Sequence, residues 1–285
     1  MGAVNSTLAS YGSSVASFLS FKTLAIIFVL TNIKSLHFMW FLRFLLTFTR
    51  RLTSSLPQTH LSPACLFLPA INTTRSPLLE CDYNMHKSNS TYFTDMDMSR
   101  GNFCLALFGK PFHPFPGPKH FNMVLGGTTC VWRKEIKPYE PYELWTRVLS
   151  WDEKWLYVVT HFVKKGVFAP GEYLLQPGKG GVAAAGAGAG KRDDGEGSKE
   201  RALKAVFASS VARYVFKSNR KTVPPHEVLL KCGLLPEDDN EGALAEVERV
   251  RADSLAVGRL ESGWDSVHAC FEPGSVALGK FACVY

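Results

Sequence analysis

One amphipathic run constrains the architecture more than anything else in this chain. From Ser90 or Thr91 onward, Tyr92, Met96, Ser99, Phe103 and Leu107 recur at three-to-four spacing, which places them on one face of a helix. Gly101 inside the run weakens that helix slightly. Strands follow it. Val124 to Ile136 is rich in β-branched and aromatic residues, and Tyr142 to Trp151 and Trp155 to Val163 both alternate. The short link Asp152-Glu153-Lys154 predicts a hairpin. Ala202 to Lys217 reads as another strand, and Ala64 to Ile71 as a first one. One long helix among antiparallel strands predicts an α+β fold in which the sheet wraps around a central helix. Apolar residues on both faces of Trp155 to Val163 predict a sheet covered on both sides. Pro224-Pro225 opens a short helix through Leu229 to Leu234, and Asn240 to Arg251 reads as an acidic helix before an irregular tail.

The chemistry-bearing residues gather just before the long helix, in Glu80 to Arg100. Asp82 stands four residues before His86, and Ser88, Asn89 and Tyr92 follow. A helix start offers unpaired N–H groups that polarise a carbonyl. An acid beside it can act on that carbonyl as nucleophile, or on an adjacent water as base. The same residue types at a loop-to-helix junction also serve as caps and turn residues. Tyr92 reads as packing as readily as chemistry.

Asp82, His86, Asn89 and Tyr92 match D-x-x-x-H-x-N-N-x-x-Y, and the segment resembles the motif of hotdog-fold thioesterases of the 4-hydroxybenzoyl-CoA thioesterase-like superfamily. A second block, Lys137 to Gly166, resembles the strand pair that follows in the same superfamily. The likeness spans roughly residues 60–235. It is closest to the thioesterase superfamily member 6 group, and extends to fungal thioesterases encoded with polyketide and lipopeptide biosynthesis, such as the leucinostatin type. Two positions depart from the motif. Glu80 stands where many relatives have a second Asp, and Ser88 replaces the first Asn. The resemblance implies a hotdog fold and a site formed between two protomers of a homodimer. It also implies hydrolysis of an acyl thioester on CoA or on a carrier protein, without a cofactor. Asp82 would be general base or nucleophile, and His86 and Asn89 would orient the loop or the thioester. Ser88 and Tyr92 would contact substrate. The alternative reading, favoured by Glu80 and Ser88, is a catalytically weak, membrane-tethered acyl-binding or scaffold protein.

The chain has 285 residues, 46% of them hydrophobic and 12% aromatic, and a net charge of +7. That composition is globular. The excess positive charge does not mark a nucleic-acid surface, because its distribution is lopsided. Residues 1–79 hold Lys22, Lys34, Arg43, Arg50, Arg51 and Arg75 and no Asp or Glu. These charges flank or interrupt the apolar run from Ala16 to Thr49, a pattern that fits anionic lipid. Residues 1–55 therefore read as a membrane anchor, either a single imperfect span or a hairpin-like interfacial segment. Arg50 and Arg51 would keep the catalytic part cytosolic.

The seven cysteines, at 65, 81, 104, 130, 232, 270 and 283, form no C-x-x-C and read as reduced thiols. No metal-ligand spacing accompanies His113 or His120. No G-x-S-x-G is present, which argues against a serine hydrolase. Trp132, Trp145, Trp151 and Trp155 either line an acyl pocket or pack the sheet. Within the thioesterase-like region 60–235, residues 176–200 are a Gly/Ala-rich insertion that fails the phosphate-loop pattern. Residues 236–285 form an extension with no assigned role.

Overall fold

The described residues open with two short helices, α1 (Phe21–Thr31) and α2 (Met39–Thr53), separated by a single 3-10 turn at Ile33–Ser35. This is a computed structural model, and it describes residues 20–53, 61–109, 112, 120–176, 200, 202–236 and 241–282. Ser20 caps α1, its hydroxyl accepting from the Thr23 N–H at 3.4 Å. Asn32 ends it: its amide donates back to the Phe28 carbonyl at 2.8 Å, and its side-chain oxygen accepts from the Leu79 N–H at 2.8 Å. One buried asparagine therefore closes a helix and fastens it to the rest of the chain. α1 has 11 residues, about 16 Å at 1.5 Å per residue, whereas a bilayer core is about 30 Å thick. Among the described residues no helix is long and apolar enough to cross a membrane. The expected single imperfect span is therefore corrected to two short helices. Asn32 is the physical reason, because its hydrogen bonds replace the next turn.

Next come β1 (Ala70–Arg75), α3 (Asn89–Phe108), β2 (Asn122–Trp132), β3 (Pro141–Trp151), β4 (Leu156–Lys164), β5 (Glu172–Tyr173), β6 (Val206–Ser218) and β7 (Lys221–Val223). The chain ends with α4 (Pro225–Lys231), α5 (Glu241–Gly258), α6 (Trp264–Ala269), β8 (Val276–Ala277) and β9 (Gly279–Ala282). The main sheet runs β2-β6-β4-β3-β1-β9, with β7 on β6. Every pairing along it is antiparallel except β1 with β9. α3 carries the expected stripe inward: Tyr92, Met96, Ser99, Phe103 and Leu107 are all buried. They face Leu156, Val158 and Phe162 of β4. A sheet curled over one long helix is the hotdog arrangement.

The other face of the sheet is also covered. Tyr157, Val159 and Val211 pack under α5 and α6 through Val267, Leu255 and Val257. Trp145 and Val163 pack against Phe271 and Ala277. Burial of each such side chain stabilises by about 1.5–3 kcal/mol. The tail is thus ordered, not irregular as expected: its residues roof the sheet and add a parallel strand to β1, Ala70 beside Gly279. Trp145 and Trp151 are buried packing residues. Trp155 reaches over Gly126, where an added Cβ would lie 2.1 Å from its ring, so a side chain there would displace the indole. Gly101 is likewise a contact point, because an added Cβ there would stand 3.1 Å from the Phe44 ring of α2.

Several boundaries differ from expectation: β2 ends at Trp132, short of Ile136, and α5 runs past Arg251 to Gly258. Pro63–Cys65 is a 3-10 turn and β1 starts at Ala70, because proline suits a first helical turn and Pro69 has no N–H for a ladder. Residues 202–204 are helical, so β6 begins at Val206. Most of the Gly/Ala-rich insertion, residues 177–199, and His113 lie outside the described residues.

Candidate active site

Glu80 to Ser88 form a small hairpin that delivers the chain to α3. The Ser88 N–H donates to the Glu80 carbonyl at 2.8 Å, and Cys81 and Lys87 pair antiparallel. At the tip, the Asp82 N–H donates to the His86 carbonyl at 2.9 Å, and the Met85 N–H returns to the Asp82 carbonyl at 3.0 Å. Met85 adopts φ 60, a left-handed conformation that glycine takes more readily. The Lys87 N–H donates to the Ile136 carbonyl at 2.8 Å, fixing the hairpin to the segment after β2.

Asp82 and His86 thus face each other across one turn at the tip. The Asp82 carboxylate is half-buried and accepts from the Asn84 N–H at 2.9 Å. His86 Nε2 lies 2.9 Å from the Glu135 carboxylate. Ser88 is the N-cap of α3, with its hydroxyl 3.2 Å from that of Ser90. Asn89 is the exposed first residue of the helix. Tyr92 turns inward and is 2% exposed, edge-on to Trp132 and tilted against Phe162 at 4.8 Å between ring centroids. Burial pushes its phenol well above the ordinary value, so it stays protonated. The hairpin therefore brings Asp82 and His86 together, sets Ser88 and Asn89 at the helix start, and sends Tyr92 into the core. Burial also pushes the Cys104 and Cys130 thiols up to about 12, which makes them poor nucleophiles.

Beneath the hairpin lies a charge cluster that pattern reading missed. The Lys34 ammonium, from the turn between α1 and α2, is 2.9 Å from Glu80 Oε2 and 2.8 Å from Asp95 Oδ1. It also donates to the Arg75 carbonyl at 2.9 Å. Lys87 Nζ is 2.7 Å from Glu80 Oε2 and 2.9 Å from Asp95 Oδ2. The Tyr142 hydroxyl donates to Asp95. All five side chains are buried. Burial alone would raise the Asp95 carboxyl, but Lys34, Lys87 and Arg43 outweigh it and hold the group well below the carboxylate range. Burial would lower the Lys87 amine, and Asp95 and Glu80 outweigh that, so it is raised. Losing one member of such a set leaves an uncompensated buried charge, at a cost of about 3–5 kcal/mol.

Two signals in the sequence pointed here. Asp95 follows Tyr92 by three, on the buried stripe. Lys34 sits in an apolar block with no acid before Glu80, so any carboxylate partner had to come from farther along the chain.

A separate cleft at the β3–β4 turn is lined by Trp151, Trp155, His226, Arg251 and Arg259 and by none of the motif residues. The motif residues lie apart from that cleft, on the hairpin and at the start of α3. Among the described residues no group of three or more His, Cys, Asp or Glu side chains is arranged to hold a metal ion.

The sequence profile of the thioesterase-like superfamily matches residues 77–186. The chain is 33% identical to the probable thioesterase atnL of Emericella nidulans, over 98% of this chain and 92% of that one. It is also 33% identical to the thioesterase poxG of Penicillium oxalicum, over 97% of this chain and 96% of that one. Among solved structures, that of the gentisyl-coenzyme A thioesterase BH1999 is 13% identical with a TM-score of 0.36, covering 57% of this chain and 97% of its own. The chain belongs to the thioesterase-like superfamily and is a thioester hydrolase.

Proposed function

We propose that Asp82 is the acid that drives hydrolysis, acting on an acyl group carried by CoA or by a carrier protein. The supporting observation is the pairing of Asp82 with His86 at the tip of the hairpin that leads into α3. N–H groups at the start of α3 polarise the thioester carbonyl. Asp82 takes a proton from water, the water oxygen bonds to the carbonyl carbon, and the C–S bond breaks. The thiolate leaves and is protonated, giving acid and thiol. In the nucleophilic variant, the Asp82 carboxylate attacks first and water resolves the mixed anhydride. A positioned base contributes about 10²–10⁴ in rate, and one oxyanion donor about 10²–10³. His86, oriented by Glu135, and Asn89 position the thioester, while Ser88 lines its path and Tyr92, buried in the core, supports the helix start from beneath. A homodimer completes the site: Val124, Leu125 and Trp132 of the outermost strand β2 are exposed and suit a second copy.

The test uses full-length protein, checked for dimer mass by light scattering, and a panel of acyl-CoA substrates. Thiol release is measured for wild type and Asp82→Asn. The expected result is a loss of kcat of about a hundredfold or more. Equal rates across the panel would remove Asp82 from the mechanism and restore the scaffold reading.

We also propose that the chain is membrane-associated through α1 and α2, lying in the interface with its catalytic part on the cytosolic side. Leu24, Ile26, Ile27 and Leu30 of α1, with Trp40, Phe41 and Leu45 of α2, are exposed. Lys22 and the Arg50-Arg51 pair stand at the two ends of this apolar hairpin, as suits anionic headgroups.

A further inference from the structure

We propose that Lys34 is a positioning residue for the thioesterase site, which makes the N-terminal hairpin a working part of that site and not a detachable anchor. This rests on the reading of Asp82 above and extends it to a residue 48 positions earlier in the chain.

The argument is geometric. The hairpin that carries Asp82 and His86 has two ends, Glu80 and Ser88, closed by a backbone hydrogen bond of 2.8 Å. Below it, Glu80 and Lys87 side chains meet at 2.7 Å. Lys87 also reaches Asp95 of α3 at 2.9 Å, which ties the hairpin to the helix once, from the hairpin's own side. Lys34 supplies the second constraint. Its ammonium touches both Glu80 of the hairpin and Asp95 of α3. A third contact, to the Arg75 carbonyl at the end of β1, orients the amine. Glu80 also holds α3 through its own carbonyl, which accepts from the Thr91 hydroxyl at 3.3 Å. The acid tip, the helix start and β1 are thus indexed to one buried cation.

The N-terminal elements are built to present that cation. Asn32 stops α1 two residues before it and fastens to Leu79. Phe44 seats α2 on Gly101 of α3. Lys34 itself is 5% exposed, so its charge is useful only where it is. Removal would leave Glu80 and Asp95 facing Lys87, Arg43 and the Tyr142 hydroxyl, with one cation fewer and no side chain from the α1–α2 turn, and the hairpin would settle toward Lys87.

The test is made in the full-length chain with an acyl-CoA assay. Lys34→Met is expected to lower kcat about tenfold or more, with KM within about twofold, since contacting buried groups couple strongly. Lys34→Met/Glu80→Gln, which removes one charge of each sign, is expected to recover to within about threefold of wild type. Should Lys34→Met not fold, Lys34→Gln carries the same readouts, because it keeps two donors and loses only the charge. A neutral variant with wild-type kcat and KM, whatever its melting temperature, overturns the proposal. So does a double variant no faster than the single one. Asp82→Asn is assayed alongside. If it is inactive while Lys34→Met is fully active, only the role of Lys34 fails; if it is fully active, the assignment of Asp82 fails independently.

Discussion

A charge buried in this protein is held by its neighbours or shifted until it is no longer a charge, and both solutions are present. Asp95 and Lys87 keep their charges because opposite charges outweigh burial. The depressed Asp95 carboxyl contributes stability above the ordinary carboxylate range and loses it as pH falls through its folded value. The raised Lys87 amine contributes below its ordinary value and loses that contribution as pH rises through its folded value. His161 takes the other route. It is 2% exposed, with Nδ1 2.8 Å from the Ser209 hydroxyl. Burial, then Arg147 and His268, hold its imidazole well below the ordinary value, so it folds neutral. Its contribution is present above an unfolded value of about 6.5 and declines as pH falls below that. Wild-type melting temperature is therefore expected to fall between about pH 7.5 and about pH 5. His161→Gln should flatten that slope without abolishing it, since burial also lowers His268. An unchanged slope in the variant would count against His161.

Among the elements, the 80–88 hairpin is tight but strained at one place. Its turn requires a left-handed residue, and the chain supplies Met85 at φ 60, with a side chain more than half exposed. A left-handed residue with a Cβ costs about 1–2 kcal/mol. Met85→Gly is expected to raise stability by about 1 kcal/mol, offset in part by unfolded-state entropy. The urea midpoint measures it, and a lower midpoint would show that the methionine makes a contact worth more than the strain. α3, β3, β4 and α4 were legible because their periods are strong and proline or a polar link marks their ends. β1 was misplaced because Pro63 and Pro69 redirect an apolar stretch that otherwise reads as strand. The last strand was invisible because β9 is four residues long and exists only through its ladder with β1.

For the whole molecule, one face of the sheet grips α3 and the other is roofed by the C-terminal helices, while α1 leaves its apolar side chains outward. In the membrane-association proposal, that asymmetry makes α1 and α2 the lipid-facing side. Full-length protein is expected to float with vesicles containing anionic lipid, and to bind less as salt rises. Ile27→Asp/Phe41→Asp is expected to stay in the soluble fraction while remaining folded by circular dichroism. Equal flotation of both proteins would assign the exposed face to something other than lipid.

By itself the sequence determined what depends on neighbours along the chain: the helical stripe, the alternating strands, the apolar basic N-terminus and the Asp82–His86 motif. Apolar residues on both faces of β4 even announced a second covering layer, though not which segment provides it. Only the tertiary structure decided that Lys34, Glu80, Lys87, Asp95 and Tyr142 share one buried cluster under that motif. Ion pairing and hydrogen bonding act through space and leave no periodicity along the chain, so side chains from four separate segments carry no mark of their meeting until the fold brings them within about 3 Å.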